Sequence, residues 1–128
     1  MTMSINDPDV LRELSEIFAR YEAALVGNDT AALDALFWHD AAVVRYGVAE
    51  NLVGIDAIRA FRAARPSAGL ARTLTHTVIT TFGRDVATAM TEFRREGSER
   101  VGRQSQTWVR LPVQGWRVVA AHVSVIDP

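Results

Sequence analysis

The 128-residue chain has no cysteine, which excludes disulfides, thiolate metal sites and cysteine nucleophiles. It has no surplus of basic charge. The formal net charge is −1 and the pI about 6.3, whereas nucleic acid or an anionic membrane as main partner would call for a basic surface. No apolar run approaches the roughly 20 residues of a membrane-spanning helix. The three histidines, His39, His76 and His122, show no metal-ligand spacing such as H-E-x-x-H. The N-terminus, M-T-M-S-I-N-D-P-D, lacks the basic-then-apolar pattern of a signal peptide, so a cytoplasmic location is expected. What remains is ordinary globular composition, 48% hydrophobic and 23% charged. The length suits one domain over residues 1–128. There is no internal repeat, linker or low-complexity segment.

Helical signals fill the first half. Asp7 can cap a helix and Pro8 is tolerated at its first position. Leu14, Ile17, Phe18, Tyr21 and Leu25 follow at helical spacing, as one apolar stripe that includes Tyr21. Gly27-Asn28-Asp29 breaks this helix, and a second short one follows with Leu33, Leu36 and Phe37 inward. A loop through His39-Asp40 leads to a strand, A-V-V-R-Y-G over 42–47. A third helix begins after Gly54, with Ile55, Ile58, Phe61 and Arg62 on roughly one face. The second half reads as four strands, Thr73 to Phe82, Val86 to Arg95, Arg103 to Leu111 and Trp116 to Ile126, with connections short enough for antiparallel hairpins. The predicted fold class is α+β: a strongly curved, cone-shaped antiparallel sheet packed on three N-terminal helices. Such a cone has an internal cavity. Arg45, charged in the middle of an otherwise apolar strand, either points into that cavity or forms an ion pair with Asp40, Glu50 or Glu92.

The order of elements resembles the nuclear transport factor 2-like superfamily, which includes ketosteroid isomerase and the SnoaL-like cyclases. The stretches A-R-Y-E-A-A-L-V-G-N-D, D-A-L-F-W-H-D, G-I-D-A-I-R-A-F and G-W-R-V-V-A-A-H-V-S carry that resemblance over nearly the whole chain. Four further segments together resemble the AtzH-like family, which includes proteins named for oxalurate catabolism. They are F-W-H-D…V-R-Y-G-V-A-E-N-L-x-G, A-I-R-A-F-R-A-A-R-P, L-A-R-T-L and G-R-Q-S-Q-T-W-V-R. The superfamily hosts unrelated chemistries and many non-enzymes, so fold alone does not fix function.

The resemblance assigns positions. Ketosteroid isomerases carry an oxyanion-donating tyrosine on the first helix, where Tyr21 stands. Their aspartate base matches Arg45, and their second aspartate falls near Thr107. A guanidinium cannot abstract a proton at neutral pH, but its fork suits a carboxylate. The pocket is thus expected to recognise an anion, and the AtzH-like resemblance implies Tyr21 and Arg45 as the catalytic pair. Arg62 and Arg72 are further candidates, and either one joining Arg45 would favour a ligand with two carboxylates. By the same alignment Ser105 and Thr107 point inward as substrate-binding hydroxyls, with Ser105 as a nucleophile the alternative, and Gln104, Gln106, Trp108, Trp116 and His122 lie on the outer, dimer-forming face. Trp38 either walls the pocket or only packs.

The AtzH-like resemblance implies hydrolysis of a carboxylated urea, 1,3-dicarboxyurea to allophanate, in nitrogen catabolism such as that of cyanuric acid. It implies no metal or organic cofactor, a small carboxylate as substrate, a homodimer through the outer sheet face, and an amidase-signature enzyme as partner. Two rivals stand beside it. One is a non-catalytic protein that binds a carboxylate or holds the amidase. The other is a cyclase or isomerase acting on a polyketide-like acid, which Arg45, Arg62 and Arg72 together argue against.

Overall fold

The computed structural model describes residues 2–128. Helix α1 spans Pro8–Val26, and the Asp7 carboxylate accepts from the N–H groups of Asp9 and Val10 at 3.0 and 3.4 Å. Its stripe of Val10, Leu14, Phe18, Tyr21 and Ala24 is buried. Asp29 caps α2 (Thr30–Ala35) through the Ala32 N–H, and this short helix buries Leu33. Strands β1 (Val44–Tyr46) and β2 (Asn51–Val53) form a hairpin, followed by α3 (Ile55–Ala64). The meander β3 (Arg72–Phe82), β4 (Val86–Arg95), β5 (Val101–Leu111) and β6 (Gly115–Ile126) completes the chain.

The six strands lie in the order β2-β1-β6-β5-β4-β3 as an open sheet. Two details differ from expectation. Strand β2 is additional; at three residues it is too short for an alternation to be read. The β1 strand also runs parallel to β6, so the sheet is mixed. A parallel pair needs a long crossover, and here α3 and the whole meander supply it.

The inward face of the meander reverses the expectation for β5 and for Trp116 of β6. Gln104, Gln106, Trp108 and Trp116 are buried. Ser105 and Thr107, expected inside, lie on the outer face, where they pair with His122 and Ala120. The tryptophans decide the orientation. Trp108 meets the Tyr21 ring edge-on at 6.1 Å, and its indole N–H donates to Gln106 Oε1 at 3.0 Å. Trp116 donates to Glu13 of α1 at 2.9 Å. Ala87, Ala89 and Ala121 provide the room that these rings and α1 occupy. A register shift opposite Thr107/Trp108 changes the parity of β6, so Trp116 and Val118 face the core on one side of it and Ala121 and Val123 on the other. His122 is exposed on the outer face, edge-on to Tyr46.

One ion pair ties α1 to the sheet. Arg72, the first residue of β3, donates from Nε and Nη2 to both Glu22 oxygens at 2.8 and 2.6 Å, and from Nη2 to Gln104 Oε1 at 3.0 Å. The Arg72 side chain is 3% exposed and that of Glu22 16%. Removing one member of a buried pair strands the other charge, at a cost of about 3–5 kcal/mol. Because Glu22 keeps some solvent, Glu22→Gln is expected to lower the unfolding free energy by about 3 kcal/mol, at the lower end of that range. A urea titration reads this directly, and an unchanged midpoint would show that the pair does not hold α1 down.

Candidate functional site

The antiparallel meander brings the start of β3, the end of β4, the start of β5 and the end of β6 to one edge of the sheet. The β1 strand ends there too, because Tyr46 is level with His122. Between this edge and helices α1 and α3 lies a pocket lined by Tyr21, Leu25, Arg45, Arg62, Arg65, Leu70, Arg72, Arg95, Gln104 and Val123. Its space, open end included, is about 430 Å³. Five of its ten lining residues are arginine. The chain has no lysine, so every fixed cation here is a planar guanidinium with donors only.

Three of the five arginines have an acid behind them. Arg45 faces inward beside the small Ala121 and donates to Glu50 at 2.9 Å. Gly47 makes this pair possible, since a Cβ there would collide with the Glu50 carboxylate. Arg62, 3% exposed, donates to Asp34 of α2 at 2.6 Å. Arg72 is the one bound to Glu22. Phenylalanines stack on four of the five: Phe61 on Arg45, Phe37 on Arg62, and Phe93 on both Arg72 and Arg95. Phe93 in turn covers Gly102, where a Cβ would strike the ring.

Arg65 and Arg95 have no acidic partner among the described residues. Arg65 stands at the end of α3, held extended by Pro66. Its Nε and Nη2 are buried and have no hydrogen-bond partner among the described residues. Burial lowers its pKa from the ordinary arginine value, and Arg62 and Arg45 lower it further by repulsion. Arg95, exposed at the rim, is lowered by desolvation and then by Arg72 and Arg45. The unfolded chain thus binds both protons more tightly than the folded one. Folding is penalised at neutral pH, and the penalty fades only in the alkaline range.

Gln104 adds another free donor. Its oxygen must face Arg72, which can only donate, so its Nε2 is turned away, buried and unpaired. The unsatisfied groups in this pocket are donors, which suits an acceptor-rich anion. Among the described residues no group of three histidine or acidic side chains converges as a metal site.

Of the residues singled out from sequence, Tyr21, Arg45, Arg62 and Arg72 meet in this pocket. Trp38 lies elsewhere, in a cleft with Phe37, His39 and Arg117 at the opposite end of the sheet. Its backbone N–H bonds to Val118 O at the start of β6, which fixes it there. Ser105 and Thr107 are separated from the pocket by the thickness of the sheet and border a shallow outer hollow with Tyr46 and His122. Arg65, Arg95 and Gln104 carry no periodicity that marks them. The one sequence signal is Pro66 after Arg65, which ends the helix there.

A family model described as AtzH-like matches residues 3–128. No curated protein matches the chain. A solved structure of a protein of unknown function from the DUF3225 family of Pectobacterium atrosepticum is 62% identical, covering 96% of this chain and 95% of that one with a TM-score of 0.94. A cystatin-like fold protein from Burkholderia xenovorans is 48% identical over 99% of both chains, with a TM-score of 0.95. A nuclear transport factor 2-like superfamily protein from Salmonella enterica shares the fold at 23% identity and a TM-score of 0.75, covering 94% and 93% of the two chains.

The unpaired guanidinium of Arg65 makes a stability prediction. Arg65→Met is expected to raise the unfolding free energy by about 1 kcal/mol, in the usual range for relieving an unfavourable surface or site charge. A higher midpoint in thermal or urea unfolding supports this. A lower one would mean that Arg65 is satisfied by the fold itself.

Proposed function

This chain belongs to the AtzH-like family, and we propose that it hydrolyses a small carboxylated urea, converting 1,3-dicarboxyurea to allophanate. The observation that carries this reading is the arginine-lined pocket with Tyr21 in its wall. In the proposed reaction Arg45 clamps one terminal carboxylate. Its pairing with Glu50 and its stacking on Phe61 fix the guanidinium plane while leaving other N–H groups for the ligand.

The balanced change is dicarboxyurea dianion plus water giving allophanate and bicarbonate. The bond between the terminal carboxyl carbon and nitrogen breaks, the carbon keeps an oxygen from water, and the nitrogen gains a proton. Attack of water on that carbon and loss of carbon dioxide followed by its hydration lead to the same products. In both routes charge develops at the departing nitrogen and the central carbonyl oxygen. A phenol positioned there stabilises it by donating a hydrogen bond. Arg45 replaces the carboxylate base of the isomerase pattern, so carbon-acid chemistry has no base at that position.

The substrate is generated in situ by a partner amidase, and allophanate is followed with and without this protein. Acceleration over spontaneous decay is expected. Tyr21→Phe should lower it about 100-fold or more while the ligand still binds, and Arg45→Ala should abolish it through lost binding. A rate equal to the spontaneous one removes this activity and leaves a carboxylate-binding protein, or one that holds the amidase.

We also propose a homodimer through the outer sheet face. Val78, Val86, Met90 and Tyr46 are exposed on strands of that sheet, a larger apolar display than a lone surface residue needs. Sedimentation velocity at micromolar concentration should give a dimer that Met90→Glu weakens. A monomer in the native protein would sink this assembly.

A further inference from the structure

We propose that Arg65 and Arg95 read the second negative charge of the ligand, so that the pocket selects dianions over monoanions of the same shape. This rests on reading the pocket as a carboxylate site and adds the residues that set its charge selectivity. Charge balance is the first support. Five guanidiniums line the pocket and three carboxylates, Glu22, Asp34 and Glu50, pair with three of them; Asp34 also lies 3.9 Å from the exposed Arg59, which is outside the lining. Two positive charges are left, and they belong to Arg65 and Arg95. A ligand carrying two negative charges makes the site neutral; one carrying a single charge leaves a cation stranded.

Hydrogen bonding is the second support. Arg45, Arg62 and Arg72 each spend donors on an acid behind them. Arg65 spends none of its side-chain donors on a carboxylate, and two of its buried nitrogens are unsatisfied. Arg95 stacks on Phe93 at the rim and also borders the adjoining groove, with Arg100, at the β4–β5 hairpin. One free cation is therefore recessed and the other stands at the opening. An anion arriving along the groove meets Arg95 first, and Arg65 completes its neutralisation.

The consequence for turnover follows from the charges. The substrate holds two carboxylates and allophanate holds one, the second charge departing as bicarbonate. Once that has left, allophanate no longer balances the pair, and the pocket favours exchange for a fresh dianion.

Glutarate tests this, because its two carboxylates are joined by three atoms, as in dicarboxyurea, and it does not decay. Glutaramate, with one carboxylate changed to an amide, is its monoanionic control. Calorimetric titration of the native protein should give glutarate a dissociation constant at least tenfold lower than glutaramate, about 1.4 kcal/mol. In Arg65→Met and in Arg95→Met the ratio should fall to threefold or less. Arg95 is at the exposed rim, so its variant keeps the test open should Arg65→Met fail to fold. No measurable glutarate binding, a native ratio near one, or a ratio preserved in the two variants overturns the proposal. Selectivity for glutarate without dicarboxyurea turnover would sink the hydrolase reading alone. Turnover with the ratio intact in both variants would sink this inference alone.

Discussion

Five like charges around one small space repel each other, and most of the pocket's surroundings answer that repulsion. Two unit charges a few ångströms apart near a protein surface interact by several kcal/mol, a large part of the stability of a domain this size. Three neighbouring elements each deliver one carboxylate: Glu22 from α1, Asp34 from α2 and Glu50 from the turn before β2. Three phenylalanines turn their faces to four of the guanidiniums. Two glycines, Gly47 and Gly102, leave the space into which Glu50 and Phe93 fit. The arginines therefore also work as structural ties: Arg72 fastens α1 to β3 and β5, and Arg62 fastens α3 to α2.

Arginine suits this arrangement better than lysine would. A guanidinium can give some donors to an acid behind it, lie flat on a ring and still offer edges forward. An ammonium with three donors on a flexible stem cannot do all three in a fixed geometry. The same property separates this pocket from an isomerase site on a similar fold. Arg45 brings no base, so the hydrolysis proposed here relies on a substrate with its own leaving group and on charge placement. A carbamate is such a group, since breaking its carbon–nitrogen bond requires stabilised charge and a proton at nitrogen rather than a strong base.

Much of this was legible in the sequence, and the misses have physical causes. A charge in A-V-V-R-Y-G and a tyrosine on an apolar stripe both pointed inward, and both line the pocket. Arg45 answers to both readings offered for it, since it lines the cavity and pairs with Glu50. Arg62 and Arg72 were legible as lining residues, but their acids, 28 and 50 residues away in the chain, were not. The β5 orientation failed because it rested on alignment with the isomerases, which put Ser105 and Thr107 inward, whereas Gln104 and Gln106 are buried. Alternation gives two faces without saying which is inside, and the bulk of Trp108 against Tyr21 settled it. Of the two readings offered for Trp38, packing holds and walling the pocket does not, because sequence adjacency to β1 does not say which end of the sheet a loop occupies. Arg65 and Arg95 sit at the ends of α3 and β4, where charges are ordinarily solvated. Only the convergence of those ends on one edge makes them part of a site.

That convergence also explains why the pocket tolerates an uncompensated pair. A fourth and fifth acid, beside those from α1, α2 and the turn before β2, would have stabilised the empty protein. Their presence would fill the donors a ligand must use, and an anion would then have to displace a covalently attached carboxylate before binding. Leaving Arg65 and Arg95 bare keeps the repulsion in the unliganded state, where an incoming anion relieves it. The affinity of such a site comes partly from contacts made and partly from strain released. Charge matching is then its most sensitive property, because a ligand one charge short recovers the contacts of one end and leaves the repulsion at the other.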